Sequence, residues 1–304
     1  MVSGTIRRAW KLGLATLLAV VAVIVGNTAT EPVFTAAVTL DTAPAVPGVP
    51  LRIAYGSSPD MFGDLYLPTA AAAPYPVVVL IHGGGWSQNR TLDHVGPLAA
   101  SLAEAGVAVW NIEYRRVNGA GGWPITLTDA DDAVRSLATV VNLRSGNRLD
   151  LRRVHLAGHS AGGQLAAWVA GRQSTEARAT AVRIRSVTLM AAVLDLEFAV
   201  NNGRDGFVRK LLGGRPDDVP DRYRMASPIA HLPVGVRISA LHGDRDTVVA
   251  PAQSRRYVAA AQRAGETADL RILDGTGHGE FADANSTAWA AARETILANV
   301  NELR

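Results

Sequence analysis

Cysteine is absent from all 304 residues. That absence excludes disulfides, thiolate metal sites, a cysteine nucleophile and a lipidated N-terminal cysteine together. Lysine is almost absent as well: only Lys11 and Lys210 occur, and neither follows a glycine. A Walker A phosphate loop requires Gly-Lys, so that chemistry is excluded. The chain carries no H-E-x-x-H, no histidine pair at ligand spacing, and no G-x-G-x-x-G after its first predicted strand. The sequence therefore calls for no metal and no dinucleotide cofactor. Internal repeats are missing, and the alanine run Ala70–Ala73 is the only low-complexity tract.

Excess charge is also scarce. The formal net charge is +3, and Arg7, Arg8 and Lys11 are the only charges before Glu31. Without residues 1–30 the basic and acidic side chains balance, so no nucleic-acid surface is implied. What the chain does have is apolar residues, 48% against 19% charged, in a length sufficient for a large core.

Arg7, Arg8 and Lys11 precede the apolar stretch Leu12–Gly26, and small and polar residues follow. This order is that of a secretory signal peptide over residues 1–37. The 15 apolar positions would span about 22 Å as a helix, short of a hydrocarbon core of about 30 Å. Cleavage is therefore expected rather than membrane anchoring, which stays as the alternative; either way the mature part is expected outside the cytoplasm. Residues 38–50, with Pro44, Pro47 and Pro50, read as a linker into the main domain over 51–304.

Short apolar runs then alternate with helical patterns. Strands are expected at Leu51–Tyr55, Asp64–Leu67, Val77–Ile81, Val107–Ile112, Val154–Ala157, Val187–Ala191, Arg237–Leu241 and Leu270–Leu273. Helices are expected at Val95–Ala105, Leu127–Leu143, Gln164–Gly171, Ala252–Ala264 and Thr287–Leu303. Continuously apolar strands suit burial on both faces, hence an α/β fold with a mostly parallel sheet. The rhythm breaks at about 196–235, which reads as a cap-like insertion with one short helical piece, Phe207–Leu212.

Gly158-His159-Ser160-Ala161-Gly162 lies between the strand Val154–Ala157 and the helix Gln164–Gly171. A serine on so tight a turn needs flanking residues without Cβ atoms, and the turn exposes its Oγ at the end of the sheet. His82-Gly83-Gly84-Gly85-Trp86 directly follows the strand Val77–Ile81. Consecutive glycines cost backbone entropy, and their use is close approach of N–H groups to an anion. With the serine turn they read as an oxyanion hole formed by the N–H groups of Gly84, Gly85 and Ala161.

A serine needs a base, and the base needs an orienting acid. Of seven histidines, His278 sits on the glycine-rich loop after the last strand. His82 and His242 read as loop braces, and His159 is expected to point away from the nucleophile. His94, His155 and His231 show no partner pattern. The stretch His242–Val249 offers two aspartates, of which Asp246 is the candidate acid and Asp244 the alternative. The order Ser160, Asp246, His278 is that of a strand–turn–helix serine hydrolase.

With these residues the chain resembles the α/β-hydrolase superfamily, and within it the HGGxW/GxSxG esterase and arylformamidase-like group, akin to the hormone-sensitive-lipase branch. The resemblance rests on His82–Trp86, Gly158–Gly163, Asp246 and His278, with further similarity in Glu113–Arg116, Gly121–Pro124 and Ala226–Ile229. The lipase branch usually lacks the tryptophan found here at Trp86, which sides with the formamidase-like and polysaccharide-esterase relatives. The resemblance implies a carboxylesterase working through an acyl-enzyme on a small-molecule ester. An arylformamidase-like amide hydrolase and a non-catalytic ligand-binding member of the fold are the competing expectations.

Overall fold

The computed structural model describes residues 44–175, 181–202 and 206–302. The expected leader lies outside the described residues, as do positions 38–43 of the linker. Among the described residues no helix is long and apolar enough to cross a membrane.

Eight strands form the sheet: β1 (Leu51–Ala54), β2 (Phe62–Tyr66), β3 (Tyr75–Ile81), β4 (Ala108–Ile112), β5 (Leu149–His159), β6 (Ile184–Met190), β7 (Arg237–Gly243) and β8 (Ala268–Leu273). Their spatial order is β1-β2-β4-β3-β5-β6-β7-β8. β2 runs antiparallel to both β1 and β4, and every other pairing is parallel. This is the α/β-hydrolase architecture that the resemblance implied.

The continuous apolar runs are explained by a core on each face. Along a strand successive side chains point to opposite sides. Val77, Val79 and Ile81 of β3 enter one cluster, while Val78 and Leu80 enter the other. Helices α1 (Gly96–Glu104) and α9 (Thr287–Glu302) cover the second face through Leu98, Leu102, Trp289 and Ile296. On the first face lie α2 (Ile125–Arg135), α3 (Val140–Arg144), α4 (Ala161–Thr175) and α8 (Ala252–Arg263), anchored by Leu127, Val141, Leu165 and Tyr257.

Two expectations need correction. The helix expected over Leu127–Leu143 is α2, a 3-10 turn at Ser136–Ala138, and α3, because Thr139 leaves helical geometry at φ −125°, ψ −105°. Three consecutive β-branched residues, Thr139-Val140-Val141, crowd the preceding turn there. The insertion is also more helical than a single piece: α5 (Leu196–Asn202), α6 (Gly206–Leu212) and α7 (Pro220–Ala226) all occur in it. α6 matches the expected piece Phe207–Leu212, while the apolar faces of the equally short α5 and α7 show no clear period in sequence. Hydrogen bonds from Trp168 Nε1 to the Met225 carbonyl and from Gln164 Nε2 to the Ala226 carbonyl tie α7 onto α4.

Candidate active site

The parallel strands all point their carboxyl ends toward one edge of the sheet, where an open α/β sheet carries its ligands. His82 follows β3, Ser160 follows β5, Asp246 follows β7 and His278 follows β8.

Ser160 is placed by a turn that only this local sequence permits. Its φ is +56°, a conformation that costs a non-glycine residue about 1–2 kcal/mol and is held by its surroundings. A Cβ on Gly162 would lie 2.1 Å from the Ile81 carbonyl oxygen, and one on Gly158 would lie 2.3 Å from that of Gly162. The helix can therefore start against the end of β3 only because both positions lack side chains.

The turn brings Ser160 Oγ to 2.9 Å from His278 Nε2, and His278 Nδ1 lies 2.7 Å from Asp246 Oδ2. A carboxylate only accepts, so Nδ1–H donates to Asp246 and the Nε2 lone pair faces the serine hydroxyl. Asp246 Oδ1 accepts from the N–H groups of Val248 and Val249, each at 2.8 Å. Burial by itself would raise this carboxyl. Hydrogen bonds from His242 and His278 outweigh it and hold Asp246 well below the usual carboxylate range. Asp244 goes elsewhere: its Oδ1 accepts the Thr276 N–H at 3.3 Å, bracing the loop that carries His278.

The glycine loop closes the other side. A Cβ on Gly83 would sit 2.7 Å from the His159 carbonyl, so the loop lies directly on the serine turn. Gly84 and Gly85 have φ of +110° and +62°. Their N–H groups and that of Ala161 have no acceptor among the described residues and belong to residues lining one cavity with Ser160. Trp86 is buried, and its Nε1–H donates to Gln164 Oε1 at 3.0 Å, clamping the loop to α4. From below, His82 bridges the Gly83 carbonyl and Glu113 Oε1, both at 2.8 Å. Glu113 also accepts from the Leu92 N–H and from Arg116.

The structure assigns work to residues whose contacts the sequence hid. His159 makes its ring contacts with the base: its Nε2–H donates to the His278 carbonyl at 2.9 Å, and the two rings are 4.7 Å apart. His242 Nδ1 meets Ser254 Oγ at 2.7 Å, and its Nε2 lies 3.2 Å from Asp246 Oδ2. Asp195 caps α5 through the Phe198 N–H and pairs with Arg256, so its carboxylate is spent on structure. Adjacency in the motif was the only hint for His159, and its partner is 119 residues away.

The cavity over Ser160 measures about 490 Å³. Phe198 and Phe207 from the insertion form an apolar wall, and Val248 adds to it. Among the described residues no three His, Asp or Glu side chains cluster as a metal site.

Burial sets a pH dependence of stability. His155 and His159 are fully buried, which pushes both down to about 3 from the ordinary value of 6.5. Below pH 6.5 the unfolded chain binds protons that the folded chain refuses. Stability is therefore highest above that pH and falls as the pH drops toward 3. The slope approaches 1.4 kcal/mol per pH unit per histidine, about 4 kcal/mol for the pair between pH 7 and 5. Urea unfolding at the two pH values measures it. In His155→Gln the pH-dependent loss is expected to halve, and an unchanged loss would remove that residue from the account.

The family model described as BD-FAE matches residues 63–260. Over 253 residues the chain is 28% identical to a probable isoprenylcysteine alpha-carbonyl methylesterase of Oryza sativa subsp. japonica, covering 74% of this chain and 56% of that protein. Over 147 residues it is 28% identical to kynurenine formamidase of Danio rerio, covering 48% of this chain and 47% of that one. The chain thus spans about half the length of these curated relatives. Among solved structures, a truncated carbohydrate esterase from gut microbiota superposes with a TM-score of 0.71 at 22% identity, over 85% of this chain and 99% of that one.

Proposed function

We propose that this chain, which belongs to the BD-FAE family, hydrolyses carboxylic esters through an acyl-enzyme on Ser160. The observation that carries the reading is the continuous relay from Ser160 Oγ through His278 to Asp246, with bonds of 2.9 and 2.7 Å. The neutral His278 Nε2 takes the serine proton as Oγ attacks the ester carbonyl, then returns it to the leaving alcohol. Asp246 fixes the tautomer and stabilises the imidazolium that forms. The free N–H groups of Gly84, Gly85 and Ala161 meet the negative charge developing on the carbonyl oxygen. Water repeats the sequence on the acyl-enzyme and releases the acid. The expected N-terminal leader would place this activity outside the cytoplasm.

The similarity to a kynurenine formamidase supports a second reading, in which the same relay cleaves an N-formyl group. Turnover of 4-nitrophenyl acetate, butyrate and octanoate beside formanilide separates the two. Each methylene buried against the Phe198 and Phe207 wall is worth about 0.8 kcal/mol. The butyrate ester is therefore expected to exceed the acetate by about tenfold in kcat/KM. No turnover of any ester by folded protein would overturn the ester reading, and turnover of formanilide alone would select the second.

A further inference from the structure

Arg90 is the only lysine, arginine, aspartate or glutamate among the described residues lining the cavity over Ser160. Its guanidinium has no carboxylate partner among the described residues; its one side-chain contact is Nη1 to His94 Nε2 at 3.0 Å. His94 Nδ1 lies 3.2 Å from the Thr91 carbonyl, so that ring is set to donate there and to accept from Arg90. Other arginines around the site are neutralised. Arg256 is paired with Asp195, Arg115 with Asp129, and Arg116 with Glu113 and Asp60.

The position of Arg90 is built into the glycine loop. A Cβ on Gly84 would fall 2.4 Å from Arg90 Cβ and 2.3 Å from its Cγ, so the stem packs directly over the backbone at Gly84. Arg116 donates to the Arg90 carbonyl from below, and the Arg90 N–H donates to the Ser87 carbonyl at 3.1 Å. On the opposite wall Phe207 covers Gly85, where a Cβ would meet its ring at 2.5 Å. The glycine loop is thus flanked by one uncompensated cation and one aromatic face.

The geometry points to an anion-selecting subsite at the cavity mouth, in which Arg90 binds a carboxylate carried by the ester substrate. This rests on the ester reading above and narrows its substrate class to half-esters of diacids or acyl esters of hydroxy acids. A guanidinium matches a carboxylate as a planar two-pronged donor. Among the described residues the cavity lining has one cation, no acid and an apolar wall, a charge balance that concentrates negative ligands. One guanidinium balances a single negative charge, which favours a carboxylate over a phosphate dianion.

Two matched substrate pairs test this on the full chain. The first is 4-acetoxybenzoate against 4-acetoxybenzamide, with the charge in the alcohol; the second is mono-4-nitrophenyl suberate against 4-nitrophenyl octanoate, with the charge in the acyl group. The readout is the ratio of kcat/KM, anionic over neutral, in wild type, Arg90→Gln and Arg90→Lys. In at least one pair the ratio is expected to fall about tenfold in Arg90→Gln and to recover in part in Arg90→Lys. In wild type it is expected to fall at about 0.5 M salt. The pair that responds tells which half of the substrate carries the charge.

Equal ratios in wild type and Arg90→Gln for both pairs overturn the subsite while leaving ester hydrolysis standing. Should wild type turn over no ester, the ester reading fails and the subsite is judged by calorimetric binding of 4-acetoxybenzoate to Ser160→Ala. About tenfold weaker binding when Arg90→Gln is added supports the subsite. Equal binding, or none, overturns it.

Discussion

Ser160→Ala is expected to lower kcat on 4-nitrophenyl butyrate by about 10⁶-fold, leaving only what substrate binding and the free N–H groups supply. The variant isolates chemistry from folding for a local reason. Alanine keeps the same Cβ at φ +56°, so the backbone strain is unchanged, and only Oγ with its bond to His278 is lost. A change in Tm of no more than a few degrees is therefore expected. A single serine-directed fluorophosphonate adduct should appear by mass spectrometry in the wild type and be absent in the variant. Retention of even a hundredth of the wild-type turnover would mean that another group attacks the carbonyl.

Asp246→Asn is expected to cost about 10⁴-fold in kcat at neutral pH. The surrounding donors decide which way the new amide faces. Val248 and Val249 direct their N–H groups at Oδ1, so the amide oxygen must stay there and the amide nitrogen must face His278. That nitrogen cannot accept from Nδ1–H. The imidazole then holds its proton on Nε2, toward Ser160, and has no lone pair for the hydroxyl. His242 Nε2 loses the carboxylate oxygen 3.2 Å away and keeps the Val249 carbonyl, 2.9 Å away, as its acceptor.

The same substitution has a stability signature whose sign follows from the depressed Asp246 carboxyl. A carboxylate stabilised in the fold contributes fully above its unfolded value of about 3.9, and the contribution is lost as the pH falls below it. The difference in unfolding free energy between wild type and variant should therefore shrink on acidification below about pH 4. A turnover loss under tenfold, measured with folded protein, would demote Asp246 from its proposed role.

Much of the site was legible because its constraints are local. A strand running into G-x-S-x-G and on into a helix leaves few backbone solutions, and Gly158 and Gly162 mark the contacts that would otherwise clash. The same holds for the glycines after β3. Asp246 and Asp244 were separable only in part, since both lie on one loop. The N–H groups of Val248 and Val249 and the bond from Thr276 tell them apart in space. Of the short cap helices only α6 was expected, and α5 and α7 escaped detection because each carries too little periodicity.

Local sequence was enough for an α/β chain with buried parallel strands, a serine at a strand-to-helix turn, a glycine loop after another strand and the order of candidate partners. Each follows from backbone sterics, or from the two-faced burial of strands, over a handful of neighbouring residues. Long-range packing set His159 to hold the His278 loop, Trp86 to clamp the glycine loop through Gln164, and Asp195 to pair with Arg256. Among the described residues it also left Arg90 without a carboxylate partner at the cavity mouth, while Arg256, Arg115 and Arg116 found acids. Such contacts join positions tens to more than a hundred residues apart, where side-chain direction depends on packing that no local pattern encodes.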